Sequence, residues 1–279
     1  NPPTGAVLDY YLKENESATP IRLEIFDAAG ELVRRFASDD VWIKTKPEDL
    51  EFPPFWVHDP EPLSGQPGMH RFVWDLRYAF PGDVRQSFYG PSAPIALPGT
   101  YSVKLTVNGQ SYTKPLTVKM DPRVKTSSAD LQEMFQAQTR LAQHVGQLSA
   151  AMREAQQLKT NIETRQKDAA ARHELSAALA DLDRRVSELL GPEIESGFGI
   201  FGLTVPASPT VTLREALPAM NGLLYVVGSA DAAPTADATV AIEKWNAPVN
   251  DVVARWKAFY ERDRARVNGM LAKSGLAAL

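Results

Sequence analysis

Few side chains in this sequence stand where they could share a proton, a metal or a ligand. The four histidines are His58, His70, His144 and His173. His144 and His173 fall on separate expected helices, without the His-x-x-x-His or Glu-x-x-His spacing that sets two metal ligands side by side. His70 opens an expected strand with no carboxylate beside it to form a relay. Solvated or locally paired histidines are therefore expected, and no metal site. Cysteine is absent, which removes disulfides, thiolate metal sites and thiol catalysis together. Neighbouring acids occur at Asp39-Asp40, Glu48-Asp49 and Asp59-Pro60-Glu61. Acid–base chemistry needs two carboxyls converging in a cleft, whereas these lie in Pro-rich, loop-like sequence where adjacent acids are solvated. No Gly-x-Ser-x-Gly elbow or Walker-type glycine loop occurs. Gly197-Phe198-Gly199-Ile200-Phe201-Gly202 lacks the preceding strand and following lysine of a phosphate cradle, so it reads as an apolar packing loop. The expectation is no catalytic residue, no metal ligand and no cofactor.

One cluster could bind rather than react. Trp42, Phe52, Phe55 and Trp56, with His58, could form a stacking platform for sugar rings, since an aromatic face is flat and apolar with a polar edge. Beside Pro53-Pro54, the same side chains could instead fix a loop to a neighbouring domain, which is the preferred reading. Trp42, Phe55, Trp56 and His58 remain the candidate ligand-binding residues, with carbohydrate as the alternative partner.

The elements that must position these residues follow from composition and period. The 279 residues carry 30 basic and 34 acidic side chains, a net charge of −4. No basic excess is available to neutralise phosphates, so no nucleic-acid partner is expected. No apolar run reaches the roughly 18–20 residues of a membrane span. The length suggests about two domains, and the chain is expected to be a fragment of something longer, because it opens on Asn1-Pro2-Pro3. Residues 1–121 hold 16 of the 24 aromatics, whereas the remainder is rich in the strong helix formers Ala, Leu, Gln, Glu and Arg. A boundary is expected at Met120-Asp121-Pro122.

The first part reads as strands. Ile21–Ile25 alternates apolar and charged residues with period two, and Ala28-Ala29-Gly30-Glu31 turns into Leu32–Phe36. Tyr101–Val107, then Asn108-Gly109, then a run through Val118 is a hairpin signature, with Tyr101, Val103, Leu105 and Val107 on one inward face. Ala6–Lys13 and Met69–Leu76 are further strands. The expected fold is multidomain α and β: an antiparallel immunoglobulin- or fibronectin-like β-sandwich over 1–121, with long insertions at about 38–68 and 78–98, followed by an antiparallel four-helix bundle over 122–279. The helices are expected at about 127–165, 169–190, 212–228 and 235–273. Ser127…Asp130 and Thr212…Glu215 resemble capping boxes. Pro218 should kink the third helix or delay its start. Along the last helix, Ile242, Trp245, Val249, Val252, Trp256, Phe259, Val267 and Met270 form the apolar face, and the helical carboxylates are expected off such faces, in water.

Several segments carry a family pattern: Asn1–Ala6 through Tyr10–Glu14; Leu23-Glu24-Ile25-Phe26-Asp27-Ala28-Ala29-Gly30 with Val33-Arg34; Arg71–Tyr78; Pro98-Gly99-Thr100-Tyr101; and Met120-Asp121-Pro122-Arg123. In this order they resemble the region following the sortilin-like β-propeller in large bacterial proteins labelled "glycosyl hydrolase, BNR (Asp-box) repeat". The Asp-Ala-Ala-Gly turn and the Trp74-Asp75 pair are also similar to the immunoglobulin-like domain of flagellar hook-capping proteins. Asp231–Thr235 and the terminal helix resemble the helical tail of the same propeller proteins. The resemblance implies an extracellular or periplasmic, non-catalytic C-terminal region whose partner is the N-terminal propeller of its parent chain. Its alternatives are a carbohydrate-binding module and part of a glycoside hydrolase active site. No Ser-x-Asp-x-Gly-x-x-Trp Asp-box occurs in these residues, so the glycosidase label passes to none of them. Trp74 is expected in the core, and Asp75 and Arg77 as a strand-end pair sharing one face.

Overall fold

The structure is a computed structural model that describes residues 5–14, 19–41, 48, 50, 53, 62–82, 93–169, 171–193, 206 and 209–279. These residues form six strands in two antiparallel sheets, and four helices. Contacts divide the chain into two compact units: residues 1–80, 85–136 and 231–233, and residues 81–84, 137–230 and 234–279.

The first unit holds both sheets. Strand β1 (Ala6–Leu12) and β4 (Gly68–Trp74) pair from Ala6↔Trp74 to Leu12↔Gly68. Strands β2 (Arg22–Phe26), β3 (Leu32–Ala37), β5 (Gly99–Val107) and β6 (Gln110–Val118) form the other sheet in the order β3-β2-β5-β6. The period-two pattern decides which side chains face inward. Leu23 and Ile25 are buried between Arg22 and Glu24, and Glu24 meets its register partner Lys104 in a 2.7 Å ion pair. At the β5–β6 turn, Asn108 and Gly109 have φ of 50° and 78°, the two positive values that a type I′ hairpin requires. Tyr10, Leu12 and Trp74 from the two-stranded sheet join Leu23, Ile25, Val33, Phe36, Tyr101 and Val103 from the other in one core. Fully burying an apolar side chain of this size contributes about 1.5–3 kcal/mol.

Core aromatics with polar tips reach loop backbone. Trp74 Nε1 donates to the Arg77 carbonyl at 2.9 Å, Tyr101 Oη to Leu97 at 2.7 Å, and Tyr10 Oη to Ser64 at 2.9 Å. Each bond removes the cost of burying an unpaired donor.

The helices are α1 (Ser128–Asp168), α2 (His173–Leu190), α3 (Leu213–Val227) and α4 (Ala236–Lys273). The division between the two units falls inside α1, between Gln136 and Ala137. Three helix starts, those of α1, α3 and α4, carry side-chain caps. Ser127 Oγ accepts from the Asp130 amide at 3.1 Å, and Thr212 and Glu215 form a reciprocal capping box at α3. That cap sets the start of α3 at Leu213, and the helix runs on through Pro218, so of the two expected effects of the proline the delayed start does not occur. Gly191 ends α2 at φ 81°, where a β-carbon would lie 2.3 Å from Thr212 Oγ1. Within the second unit, α2 and α3 both pack on α4. Leu131, Leu141, Val145, Leu148, Ala155 and Ile162 form the buried stripe of α1, and Trp245, Val249, Val252, Trp256, Phe259 and Val267 that of α4. Gly146 of α1 admits the backbone of Pro81, whose carbonyl oxygen would lie 2.4 Å from an added β-carbon. No described helix is long and apolar enough to cross a membrane.

Candidate functional site

The aromatic candidates Trp42, Phe52, Phe55, Trp56 and His58 lie outside the described residues, as do Asp59, Glu61 and Gly197–Gly202. His70, Asp40, Asp75 and Arg77 of the first unit have local partners. His70 sits with Nε2 2.6 Å from the Gln66 carbonyl and its ring centroid 5.1 Å from that of Tyr10. Asp40 closes a turn, accepting from the Ala37 amide at 2.7 Å and from Arg35 at 3.3 Å. Asp75 accepts from the backbone amide of Arg77 at 3.1 Å, while the Arg77 guanidinium donates to the Ala93 carbonyl at 2.7 Å. The expected Asp75–Arg77 side-chain pair does not form. Strand β4 stops at Trp74, and Leu76 at φ 57° turns the chain, so the two residues share no strand face.

In the second unit two further expectations are overturned. His144 is buried in α1 rather than solvated, and its Nδ1 has no hydrogen-bond partner among the described residues. Burial, followed by the nearby Arg140 charge, lowers its pKa from the ordinary value of 6.5. Asp263 lies inside the apolar stripe of α4, with its side chain 6% exposed, between Phe259 and Val267. Two arginines stabilise it there. Arg185 of α2 bonds Oδ1, and Arg262 bonds Oδ2 through Nη2 at 2.9 Å and Nε at 3.2 Å. Burial acts to raise the Asp263 pKa, and the two guanidiniums outweigh it, holding the carboxyl below its usual range.

These ion pairs border a groove of about 370 Å³ between α2 and α4. Arg185, Glu188 and Leu189 line it from α2, at positions i, i+3 and i+4. Arg255, Ala258, Phe259 and Arg262 line it from α4, at i, i+3, i+4 and i+7. These are the spacings that put side chains on one helix face. Arg185 stacks over the Phe259 ring, 5.1 Å from its centroid. Arg255 is fixed by Asp251 at 2.6 Å and by the Val211 carbonyl at 2.6 Å. A second groove, about 450 Å³, lies between α1 and α4 and mixes Arg153, Glu154, Asn161, Tyr260 and Arg264. Among the described residues no group of three or more His, Asp or Glu side chains could hold a metal ion. Three arginines give the α2–α4 groove a cationic, donor-rich lining. Compared with protein-family models, curated proteins and solved structures, the chain finds no match in any of the three.

Sequence reasoning missed this groove although each wall was legible. The Arg-x-x-Ala-Phe-x-x-Arg spacing at 255–262 marks one helix face, and position 263 falls in register with Phe259 and Val267 four residues either side. The signal was a charged residue occupying a stripe position, which calls for a partner from another element.

Proposed function

We propose that this chain is a non-catalytic C-terminal accessory region of a larger exported bacterial protein of the sortilin-like β-propeller type, built as an immunoglobulin-like β-sandwich followed by an antiparallel four-helix bundle. Two antiparallel sheets with a common core support the sandwich reading, and apolar stripes along all four helices support the bundle. The observation that carries the functional reading is the outer face of the β1–β4 sheet. Val7, Tyr11 and Met69 are 42%, 66% and 71% exposed there, and Tyr11 and Met69 are register partners. The Asp9–Arg71 ion pair at 2.8 Å sits between them and Val7. Apolar side chains around a fixed charge pair suit a protein interface, and their place on the first strand suits a preceding propeller in the same chain.

The test has two steps. Sequencing the gene upstream of Asn1 should reveal a propeller-coding region. That propeller, expressed separately, should bind this chain in calorimetry, and Tyr11→Lys with Met69→Lys should weaken binding at least about tenfold, the equivalent of about 1.4 kcal/mol. An upstream region without a propeller, or a propeller that binds the double variant as well as the parent, would overturn the proposal.

A further inference from the structure

We propose that the α2–α4 groove is a binding site for a tetrahedral oxyanion carried on a small apolar group, that is, a phosphate or sulfate monoester of an aryl or alkyl alcohol. The inference rests on the groove alone and is independent of the propeller reading.

The first argument is donor accounting. A guanidinium has five N–H donors on three nitrogens. Arg185 spends Nη1 on Asp263, Arg262 spends Nε and Nη2 on the same carboxylate, and Arg255 spends Nε on Asp251 and Nη2 on the Val211 carbonyl. Among the described residues, Arg185 keeps Nε and Nη2 unspent, and Arg255 and Arg262 each keep Nη1. Three anchored guanidiniums thus retain donors around one groove, matching the three terminal oxygens of a monoester better than the two of a carboxylate.

The second argument is preorganisation and charge. Long arginine side chains lose rotamer freedom when they bind, and here carboxylate and carbonyl partners already hold all three in place. Arg185 and Arg255 are 29% and 34% exposed, so their charges are less screened than surface charges are; Arg262, at 72%, is the open side. Glu188, the one carboxylate of the lining, is bonded to Arg184, which draws its charge away from an incoming anion.

The third argument is size. A bare oxyanion would leave most of about 370 Å³ unfilled, and Leu189, Ala258 and Phe259 supply the apolar surface that an ester group would cover.

The experiment is calorimetric titration of the full chain with phenyl phosphate, phenyl sulfate and inorganic phosphate at low salt. Saturable one-to-one binding of at least one ester is expected, about tenfold or more tighter than inorganic phosphate. The ranking of the two esters identifies the source, since the phosphate carries more charge at neutral pH. Arg262→Gln should weaken ester binding about tenfold, the loss of one charge-assisted bond. Ala258→Glu places a carboxylate in the groove without touching any arginine pair and should abolish binding, while Lys244→Gln, an exposed charge change on α4 outside the lining, should leave it within about twofold. Circular dichroism melts confirm that each variant is folded. Absence of saturable ester binding, equal affinity for inorganic phosphate, folded groove variants that bind as the parent does, or a loss in Lys244→Gln matching that in Arg262→Gln would each overturn the proposal.

Discussion

The two units are held by different chemistry. In the β unit, apart from the cross-strand pairs Glu24–Lys104 and Asp9–Arg71, ties run from side chains to loop backbone: Tyr10 to Ser64, Trp74 to Arg77, Tyr101 to Leu97, Arg34 to Tyr78 and Arg77 to Ala93. In the helical unit, beside side-chain-to-carbonyl bonds such as Arg255 to Val211, helix is tied to helix through side chains alone: Lys159 of α1 to Asp183 of α2, Arg185 of α2 to Asp263 of α4, and Trp256 of α4 to Glu154 of α1. The difference follows from where unpaired backbone groups remain. A helix consumes its own carbonyls except at its ends, so long polar side chains must meet one another. Strands are joined by loops whose carbonyls lack ladder partners, and buried aromatic hydroxyl and indole donors satisfy them.

Opposite pH sensitivities result. Burial raises Tyr10 and Tyr78 and pushes Tyr101 up to about 12, with Tyr78 and Asp27 adding to the last. A raised tyrosine favours the neutral form in the fold, so stability is intact below the ordinary value of 10 and falls as pH rises toward the folded value. Asp263 and His144 are lowered instead. The Asp263 contribution is present above the ordinary aspartate value of 3.8 and is lost as pH falls through its lower folded value; that of His144 shrinks as pH falls below 6.5. Asp9 and Asp121 of the β unit are also lowered by Arg71 and Arg123, but both pairs are exposed and contribute little.

The largest expected effect falls on the β unit. Trp74→Ala removes a fully buried indole, its bond to Arg77 and its edge contact with Tyr101, whose centroid is 5.6 Å away. A loss of about 3–5 kcal/mol in denaturant unfolding is expected. A loss under about 1 kcal/mol would mean that the two sheets do not depend on this shared core.

Arg185→Ala tests the helical unit's dependence on charge. It strips one of two partners from an almost fully buried carboxylate and should cost about 3 kcal/mol, while Arg185→Met with Asp263→Leu should recover most of it. The single variant should also lose stability at a higher pH on the acid side than the parent, because Asp263 is less well held. A double variant no more stable than the single would show that the pair sets geometry as well as neutralising charge.

Gly146→Ala should cost about 1–3 kcal/mol. Its β-carbon would meet the Pro81 carbonyl oxygen at 2.4 Å, and a backbone atom cannot swing aside as a side chain could. Equal stability in thermal melts would indicate that the Pro81 segment can lift from α1.

What was legible in the sequence tracks the range of the interaction that decides it. The β5–β6 hairpin was legible because alternation and Asn108-Gly109 are local. The start of α3 was legible because Thr212 and Glu215 are three residues apart, and the end of α2 because Gly191 carries its own signal. Asp263 was not, since the partner that makes its burial tolerable, Arg185, is 78 residues away. His144 sits among Leu141, Val145 and Leu148 at stripe spacing, yet a histidine in a stripe reads as a polar interruption until the facing helices are placed. The Asp75–Arg77 expectation failed because one residue between them, Leu76, leaves the strand conformation. Each wall of the α2–α4 groove is written in its own helix, but the groove exists only where the two helices meet.

The smallest effect is the sharpest test of the contrast between the units. Tyr101→Phe keeps the ring among Trp74 and its neighbours and deletes only the hydroxyl that donates to Leu97 at 2.7 Å. At neutral pH the cost should be about 1 kcal/mol, the net worth of one hydrogen bond and the penalty of an unpaired carbonyl. Above pH 10 the parent loses stability because its unfolded chain ionises Tyr101 and its folded chain does not; phenylalanine has no proton to lose in either state. The cost of the substitution should therefore shrink as pH rises from 8 toward about 12. His144→Phe should act at the other end, removing the stability loss that begins below pH 6.5 and leaving the alkaline side unchanged. Urea titrations of both variants at pH 5, 8 and 11 would show this. A Tyr101→Phe cost that stays constant from pH 8 to 11 would mean that this hydroxyl titrates alike in both states, and would remove it from the basis of the contrast.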